Sequence, residues 1–288
     1  MANKIQLKKA VTKMKKITPK AVCNFISKRE DEGYKNQYGK VLIIAGNEMY
    51  GGAAILAAEG SVYSGAGLTT LASHHVNRTS LHSRLPECMF IDYANRNQLK
   101  TLFASFDTIL IGPGLGLDEE AHSLLEFTLQ NMSQHQNLII DGDGITLYAK
   151  GDLQKPSCHL YFTPHAGEFE RLKKLAPHDA SMEEIQRTLD ATIVLKGHRT
   201  KVITNADSWQ NIYGSPAMAT GGMGDMLAGI IAGLMKQTSN PLHGVLAGVF
   251  FHSYIGDILA KKKFIVLPTE ISAALPTYLK IFSEMQED

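Results

Sequence analysis

The chain has 288 residues, 44% of them hydrophobic and 20% charged, which suits a globular protein with a full core and excludes a disordered one. Its formal net charge of +1 argues against nucleic acid or an acidic membrane surface as the main partner. Three scattered cysteines, no segment typical of a signal peptide and no apolar run of ~20 residues predict a cytoplasmic protein without disulfides or structural zinc.

The first 37 residues are interpreted as an N-terminal helical extension, and residues 38–288 as the main domain. Thr18 and Pro19 are typical of a helix start, because threonine caps the first turn and proline fits its first position. This helix is predicted to run to Ile26, and a polar loop follows it.

From residue 38 onward, short apolar segments rich in β-branched residues alternate with segments of helical spacing. Such strands are typical of a parallel sheet that is covered on both faces. Near the end, two long segments are apolar nearly all round, which predicts helices buried in a core or in a subunit interface. The predicted elements are strands at 40–46, 68–72, 108–112, 138–141, 160–164 and 191–197, a hairpin of 201–204 with 209–213, and helices at 53–63, 121–131, 168–175, 225–235, 242–260 and from 270.

This alternation predicts a single α/β domain with a doubly wound, mostly parallel sheet and helices on both faces. In such sheets, ligands bind at the carboxyl ends of the strands. Glycines, acids and a lysine follow several predicted strands, so they should converge at one edge of the sheet and form the site of an enzyme. The segments concerned are 46–52, 112–116, 141–143, 164–168 and 196–200.

The glycine-rich loop 219–225 carries the strongest chemical signal. Its glycines allow close approach of a ligand, and the unpaired first amides of the helix that follows favour an anion, so the loop predicts a cradle for a transferring phosphoryl group. It is not a Walker P-loop, because no Lys-Ser/Thr pair follows the glycines. Asp225 stands in the first helical turn, where the dipole should lower its basicity, and we expect it to act as a positioned proton acceptor. A plain glycine turn capped by aspartate has the same local pattern.

Six motifs in order along the chain resemble those of the NAD(P)H-hydrate dehydratases, a branch of the ribokinase-like superfamily. The resemblance runs from about Tyr38 to Pro276. It implies a ribokinase-like fold and an enzyme that phosphorylates the hydroxyl of a hydrated nicotinamide ring with ATP or ADP, then eliminates phosphate to restore NADH or NADPH. The motifs are Gly39-Lys40-Val41 with Ser64-Gly65-Ala66-Gly67, Gly112-Pro113-Gly114-Leu115-Gly116, Asp141-Gly142-Asp143, Thr163-Pro164-His165-Ala166-Gly167-Glu168, Leu195-Lys196-Gly197, and Met218 to Gly229.

The same resemblance implies roles for individual residues. Asp225 would take the hydroxyl proton during phosphoryl transfer, and Mg²⁺ would accompany the nucleotide. A homo-oligomer, a tetramer in the family, is also implied. The implied nucleotide-binding residues are Lys196, Gly197, His198, Arg199, Thr200, Gly221, Gly222, Met223 and Gly224, and the implied substrate-binding residues are Ala53, Ala54, Gly114, Gly116, His165 and Asp225.

Several of these residues also have ordinary structural explanations. Lys196 could be a solvated lysine at a strand end, and His165 a turn histidine bonded to backbone. Asp143 and Glu168 are candidates to hold Mg²⁺ through water, although turn chemistry would explain the first and helix capping the second. We expect His252, on the second long apolar segment, to be a buried histidine with its hydrogen bonds satisfied.

Two other functions stay open from the sequence. A small-molecule kinase of the same fold, similar to hydroxyethylthiazole kinase, would show the same glycine loop and acid, although the stretch 163–168 favours the dehydratase. A nucleotide-binding sensor without turnover is the other, and the presence of Asp225 argues against it.

Overall fold

The computed structural model describes residues 14–285, so the first part of the predicted N-terminal extension lies outside the described residues. Within the described part, Lys15–Ile17 forms strand β1 and Pro19–Cys23 forms helix α1, which ends three residues before the predicted Ile26. The Thr18 hydroxyl accepts a hydrogen bond from the Ala21 amide, which confirms the N-cap. The division of the chain at residue 38 stays a prediction.

The strands of the described part form a single ten-stranded sheet. They are β1, β2 (Lys40–Ile44), β3 (Leu68–Ser73), β4 (Met89–Asp92), β5 (Thr108–Ile111), β6 (Asn137–Ile140), β7 (His159–Phe162), β8 (Thr192–Leu195), β9 (Lys201–Ile203) and β10 (Ser208–Asn211). Their order across the sheet is β1-β10-β9-β8-β7-β6-β5-β2-β3-β4, and all neighbours are parallel except the pairs formed by β9. The chain switches direction of winding between β2 and β5, which is where open α/β sheets bind ligands.

Helices cover both faces of the sheet, as predicted. On one face lie α1, α2 (Gly51–Tyr63), α3 (Asn77–Arg84), α9 (Met223–Leu234), α10 (Pro241–Ala260) and α11 (Pro268–Glu284). On the other face lie α4 (Arg96–Phe103), α5 (Glu119–Asn131), α6 (Asp143–Tyr148), α7 (Ala166–Leu172) and α8 (Met182–Leu189). Successive strand residues alternate between the two cores: Val41 and Ile43 belong to the first, Leu42 and Ile44 to the second.

Helices α2 and α9 pack with almost no side chain between them. A Cβ added at Gly229 would lie 2.0 Å from the Ala57 carbonyl oxygen, and one at Gly60 would lie 2.6 Å from the Met226 carbonyl oxygen. Only glycine permits such an approach of two backbones. The contact fixes the amino-terminal ends of both helices beside each other at the edge of the sheet.

The long apolar helices are buried within the chain itself. Helix α10 has the length and composition to cross a bilayer, but 67% of its apolar window is buried against the rest of the protein, as in a core helix. Burial within the chain explains the apolar character of this helix, so that character does not support the predicted oligomer.

Candidate active site

The five segments predicted to converge do meet at the carboxyl edge of the sheet. The loop after β2 bonds the loop after β5, because the Gly46 amide donates to the Pro113 carbonyl at 2.9 Å. The Lys196 amide, after β8, donates to the Pro164 carbonyl at 2.7 Å, after β7. These bonds join the loops in pairs at the carboxyl edge of the sheet.

A buried ion pair lies at the centre of this edge. Asp141, only 1% exposed, accepts hydrogen bonds from Lys196 Nζ at 2.6 Å and from the Thr163 hydroxyl at 2.7 Å. Burial opposes the charge of Lys196, but the attraction of Asp141 and then of Glu168 outweighs it and holds the lysine pKa above its usual value. Lys196 is therefore a charged residue paired inside the protein, with its side chain only 16% exposed, and the solvated strand-end lysine is excluded.

The glycine loop turns into α9 at Gly222, whose φ of 85° lies in the left-handed region. A Cβ there would also lie 2.3 Å from Leu56 Cδ1, so glycine is required for two reasons. The first backbone bond at the start of α9 runs from the Met226 amide to the Gly222 carbonyl at 3.0 Å. The amides that precede Met226 at this helix start are thus available to an anion, as the sequence predicted.

Asp225 lies in the first turn of α9. The sequence predicted that this position lowers its basicity, but its surroundings raise it. Burial raises its pKa to about 6, and the nearby Asp141 carboxylate adds to the shift, while Lys196 opposes it. Desolvation and neighbouring acids thus outweigh the helix dipole, and the prediction of a weak base was wrong. A carboxylate with this pKa is well matched to accept a proton near neutral pH.

The two carboxylates proposed to hold a metal are both bonded to backbone. Asp143 Oδ2, at the start of α6, accepts from the Gly116 amide at 2.8 Å and pins the loop after β5. Glu168 Oε2 accepts from the His165 amide at 2.8 Å in a capping box, and its burial raises its pKa to about 7. Within residues 14–285, no group of three or more acidic, histidine or cysteine side chains is arranged to hold a metal ion.

Four of the residues assigned to the substrate, Ala53, Ala54, Gly114 and Gly116, lie on the β2–β5 side of the edge. A Cβ at Gly114 would lie 3.0 Å from the Ala53 Cβ, so this loop rests on the start of α2. Ala54 is fully buried beside Gly46, as its packing explanation requires. The His165 ring, 58% exposed, accepts from the Gly167 amide at 3.0 Å, so it caps α7 and still faces outward. Contact of these residues with substrate stays a prediction.

Most of the residues assigned to the nucleotide surround a separate cavity of about 260 Å³. Those that line it are Lys196, Gly197, His198, Thr200, Met223 and Gly224. Arg199 and Gly221 are exposed outside its wall. A larger cavity of about 1030 Å³ lies at the opposite, carboxyl-terminal ends of α2, α9 and α11, and no predicted site residue lines it, so we place the chemistry at the smaller one.

The family model for NAD(P)H-hydrate dehydratase matches residues 41–277, which include every segment of this site. The chain belongs to this family. The ADP-dependent (S)-NAD(P)H-hydrate dehydratase of Listeria monocytogenes is 63% identical over 274 residues, which are 95% of this chain and 99% of the relative.

Solved structures agree with the family assignment. A ribokinase-like superfamily protein from Enterococcus faecalis superposes with a TM-score of 0.90 at 41% identity, covering 94% of this chain and 97% of its own. The ADP/ATP-dependent NAD(P)H-hydrate dehydratase of Bacillus subtilis, crystallised with ATP and Mg²⁺, gives a TM-score of 0.80 at 28% identity, with coverages of 93% and 99%. The predicted ribokinase-like fold is confirmed.

Sequence reasoning missed two features of this dehydratase site. The Asp257 carboxylate, on α10, accepts from the Gly214 amide at 3.1 and 3.2 Å and holds the loop after β10 against the cavity. His252 is buried as expected, but its Nε2 has no hydrogen-bond partner among the described residues, so the expectation of a satisfied histidine was wrong. Spacing on an apolar helix cannot show whether a buried ring nitrogen finds a partner.

Proposed function

We propose that the chain restores hydrated NADH and NADPH by ADP- or ATP-dependent dehydration, with Asp225 as the group that accepts the hydroxyl proton. The observation that carries this proposal is the position of Asp225: a partly buried carboxylate with a pKa of about 6, in the first turn of α9, directly after the cavity-lining residues Met223 and Gly224. The name of the Listeria relative supports ADP as the nucleotide.

In the first step, the hydroxyl of the hydrated ring attacks the terminal phosphorus of the nucleotide. The hydroxyl proton passes to Asp225, the new O–P bond forms, and the bond to the leaving AMP or ADP breaks. The amides at the start of α9 would hold the transferring group, since they lie in the first turn with no helical partner. Positioning and electrostatics supply most of the catalysis in such transfers.

In the second step, the phosphate ester leaves as free phosphate. The ring carbon beside the ester loses a proton, and the electron pair of that C–H bond becomes the restored double bond. The sum of the two steps is loss of water from the substrate and hydrolysis of one phosphoanhydride bond. Since the nicotinamide ring is not otherwise changed, no redox partner is required.

The charge of the site fits a nucleotide that brings Mg²⁺ with it. Asp141, Asp143 and Glu168 each raise the pKa of Asp225, and Lys196 is the cation that opposes them. A divalent cation would relieve this excess of negative charge and neutralise the phosphates. We propose that Asp143 and Glu168 contact it through water, because Mg²⁺ commonly uses one or two carboxylates together with phosphates and waters.

We further propose a cytoplasmic location, which suits both substrates, and a homotetramer by likeness to the family. Cys23, Cys88 and Cys158 form no disulfide; the first two are buried and the third is partly buried, in keeping with a reducing compartment. Sedimentation velocity of the purified chain would measure the assembly directly.

The test is incubation of the purified protein with hydrated NADH and either ADP or ATP. We expect the absorbance of the reduced nicotinamide to recover while phosphate is released in equal amount. A phosphorylated product that accumulates without recovery of absorbance would instead identify a kinase. Nucleotide binding without any phosphate release would identify a sensor, and both results contradict the proposal.

A further inference from the structure

The buried ring of His252 lines the cavity, and the proposed reaction gives it no role. It lies on α10, is 7% exposed, and its Nε2 has no hydrogen-bond partner among residues 14–285. Buried polar atoms in native proteins nearly always have a partner, so an atom without one requires an explanation. A ligand that is bound only during the reaction cycle is a sufficient one.

The position of His252 makes a nucleotide the natural candidate. His252 and Ser253, both on α10, line the 260 Å³ cavity together with Lys196 and with Met223 and Gly224 at the start of α9. The cavity continues from the α9 start to Gly214 and Ser215. With phosphates held at the helix amides, the rest of the nucleotide extends along this cavity past the histidine.

The charge state of the His252 ring indicates which part of a nucleotide it contacts. Burial lowers the pKa of His252 to about 4, so the ring is neutral at physiological pH. A neutral ring brings no positive charge to an anion, but one of its nitrogens donates and the other accepts, so it can pair with an uncharged donor or acceptor. The nucleoside part of the nucleotide, through a ribose hydroxyl or the base, provides such a group.

We propose that His252 binds the nucleoside part of the adenine nucleotide through Nε2, and so contributes to nucleotide affinity and not to proton transfer. This inference rests on the proposed nucleotide-dependent reaction. A competing explanation is purely structural: the ring also interacts with the backbone of Met223 and could serve only to hold the glycine loop.

The two explanations predict opposite effects on the ligand-free protein. If Nε2 is hydrogen-bonded only when a ligand is present, His252→Leu removes an unpaired buried polar atom. The ligand-free variant should then unfold at the same temperature as the wild type or at a higher one. If the ring holds the loop, the same substitution should lower that temperature. Thermal unfolding without nucleotide therefore separates them.

Addition of nucleotide supplies the second readout. We expect about 10-fold weaker binding of AMP and ADP by His252→Leu, seen as a smaller rise in unfolding temperature at equal ligand concentration. KM for ADP should rise by a similar factor of about 10, while KM for hydrated NADH and kcat change less than about 2-fold. His135→Leu, the same change on the exposed loop after α5, is the matched control and should alter none of these.

Failure of the inference differs from failure of the proposed function. If the wild type binds AMP and turns over hydrated NADH, but His252→Leu keeps its affinity for AMP, the assignment of His252 is overturned and the reaction stands. An affinity loss accompanied by a lower unfolding temperature without ligand also overturns it in favour of the structural role. If the wild type shows neither nucleotide binding nor turnover, the proposed reaction itself fails.

Discussion

Replacing Asp225 by asparagine should stabilise the protein while it removes most of the activity. Loss of the proton acceptor is expected to lower turnover by a factor on the order of 10²–10⁴. Nucleotide binding should persist, because the amides of the glycine loop are unchanged.

The gain in stability follows from the sign of the pKa shift. The pKa of Asp225 rises from 3.8 to about 6, a difference of roughly two units, which corresponds to up to about 3 kcal/mol. Because the folded state holds the proton more tightly, ionisation of Asp225 favours the unfolded state; this penalty grows as the pH rises above the unfolded pKa of 3.8 and is complete above about 6. At neutral pH the asparagine variant should therefore unfold at a temperature roughly 5–10 °C higher. Below about pH 4 the carboxyl is protonated in both states, and this advantage disappears.

The assay combines calorimetry with steady-state kinetics across pH. For the wild type, kcat/KM should fall as the pH drops through about 6, by about 10-fold between pH 7 and pH 5, since the base becomes protonated. Glu126→Gln removes one carboxylate from the exposed face of α5 and serves as the control for the change in net charge. Near-normal turnover of Asp225→Asn would refute the catalytic assignment, and a lower unfolding temperature at neutral pH would refute the argument from burial.

Two further predictions concern the packing beneath the site. Lys196→Met leaves Asp141 buried without its cation and should lower the free energy of unfolding by about 3–5 kcal/mol. The variant should also lose most nucleotide-dependent turnover. A denaturant midpoint equal to that of the wild type would contradict the role of this ion pair. Gly229→Ala places a Cβ 2.0 Å from the Ala57 carbonyl oxygen and should lower the free energy of unfolding by about 1–3 kcal/mol or more. Gly52→Ala, whose added Cβ has nothing within 4 Å, should raise it by about 0.5–1 kcal/mol. A urea titration measures both.

The central strands could be predicted because their burial on both faces leaves a continuous apolar run. β2, β5 and β6 are of this kind, and all three lie within a residue or two of their predicted ends. The edge strand β4 and helix α3 gave no such signal: Met89 is exposed, and α3 is polar along most of its length. Their structure depends on neighbours that the local sequence does not reveal.

The site was predictable where backbone conformation dictates residue type, and less so where charge and burial decide. The glycine loop and the position of Asp225 at the helix start follow from local sequence. The proton affinity of that acid does not, because it depends on carboxylates from the loop after β6, from α6 and from α7, which only the fold brings near. The partner of Lys196 and the unpaired nitrogen of His252 are likewise properties of the assembled site.

The contact between α2 and α9 also limits how the enzyme can open. Each helix begins at one half of the site: α2 at the loop beside Gly114, and α9 at the loop that contains Asp225. Because their backbones touch, the starts of α2 and α9 cannot move apart without breaking this contact.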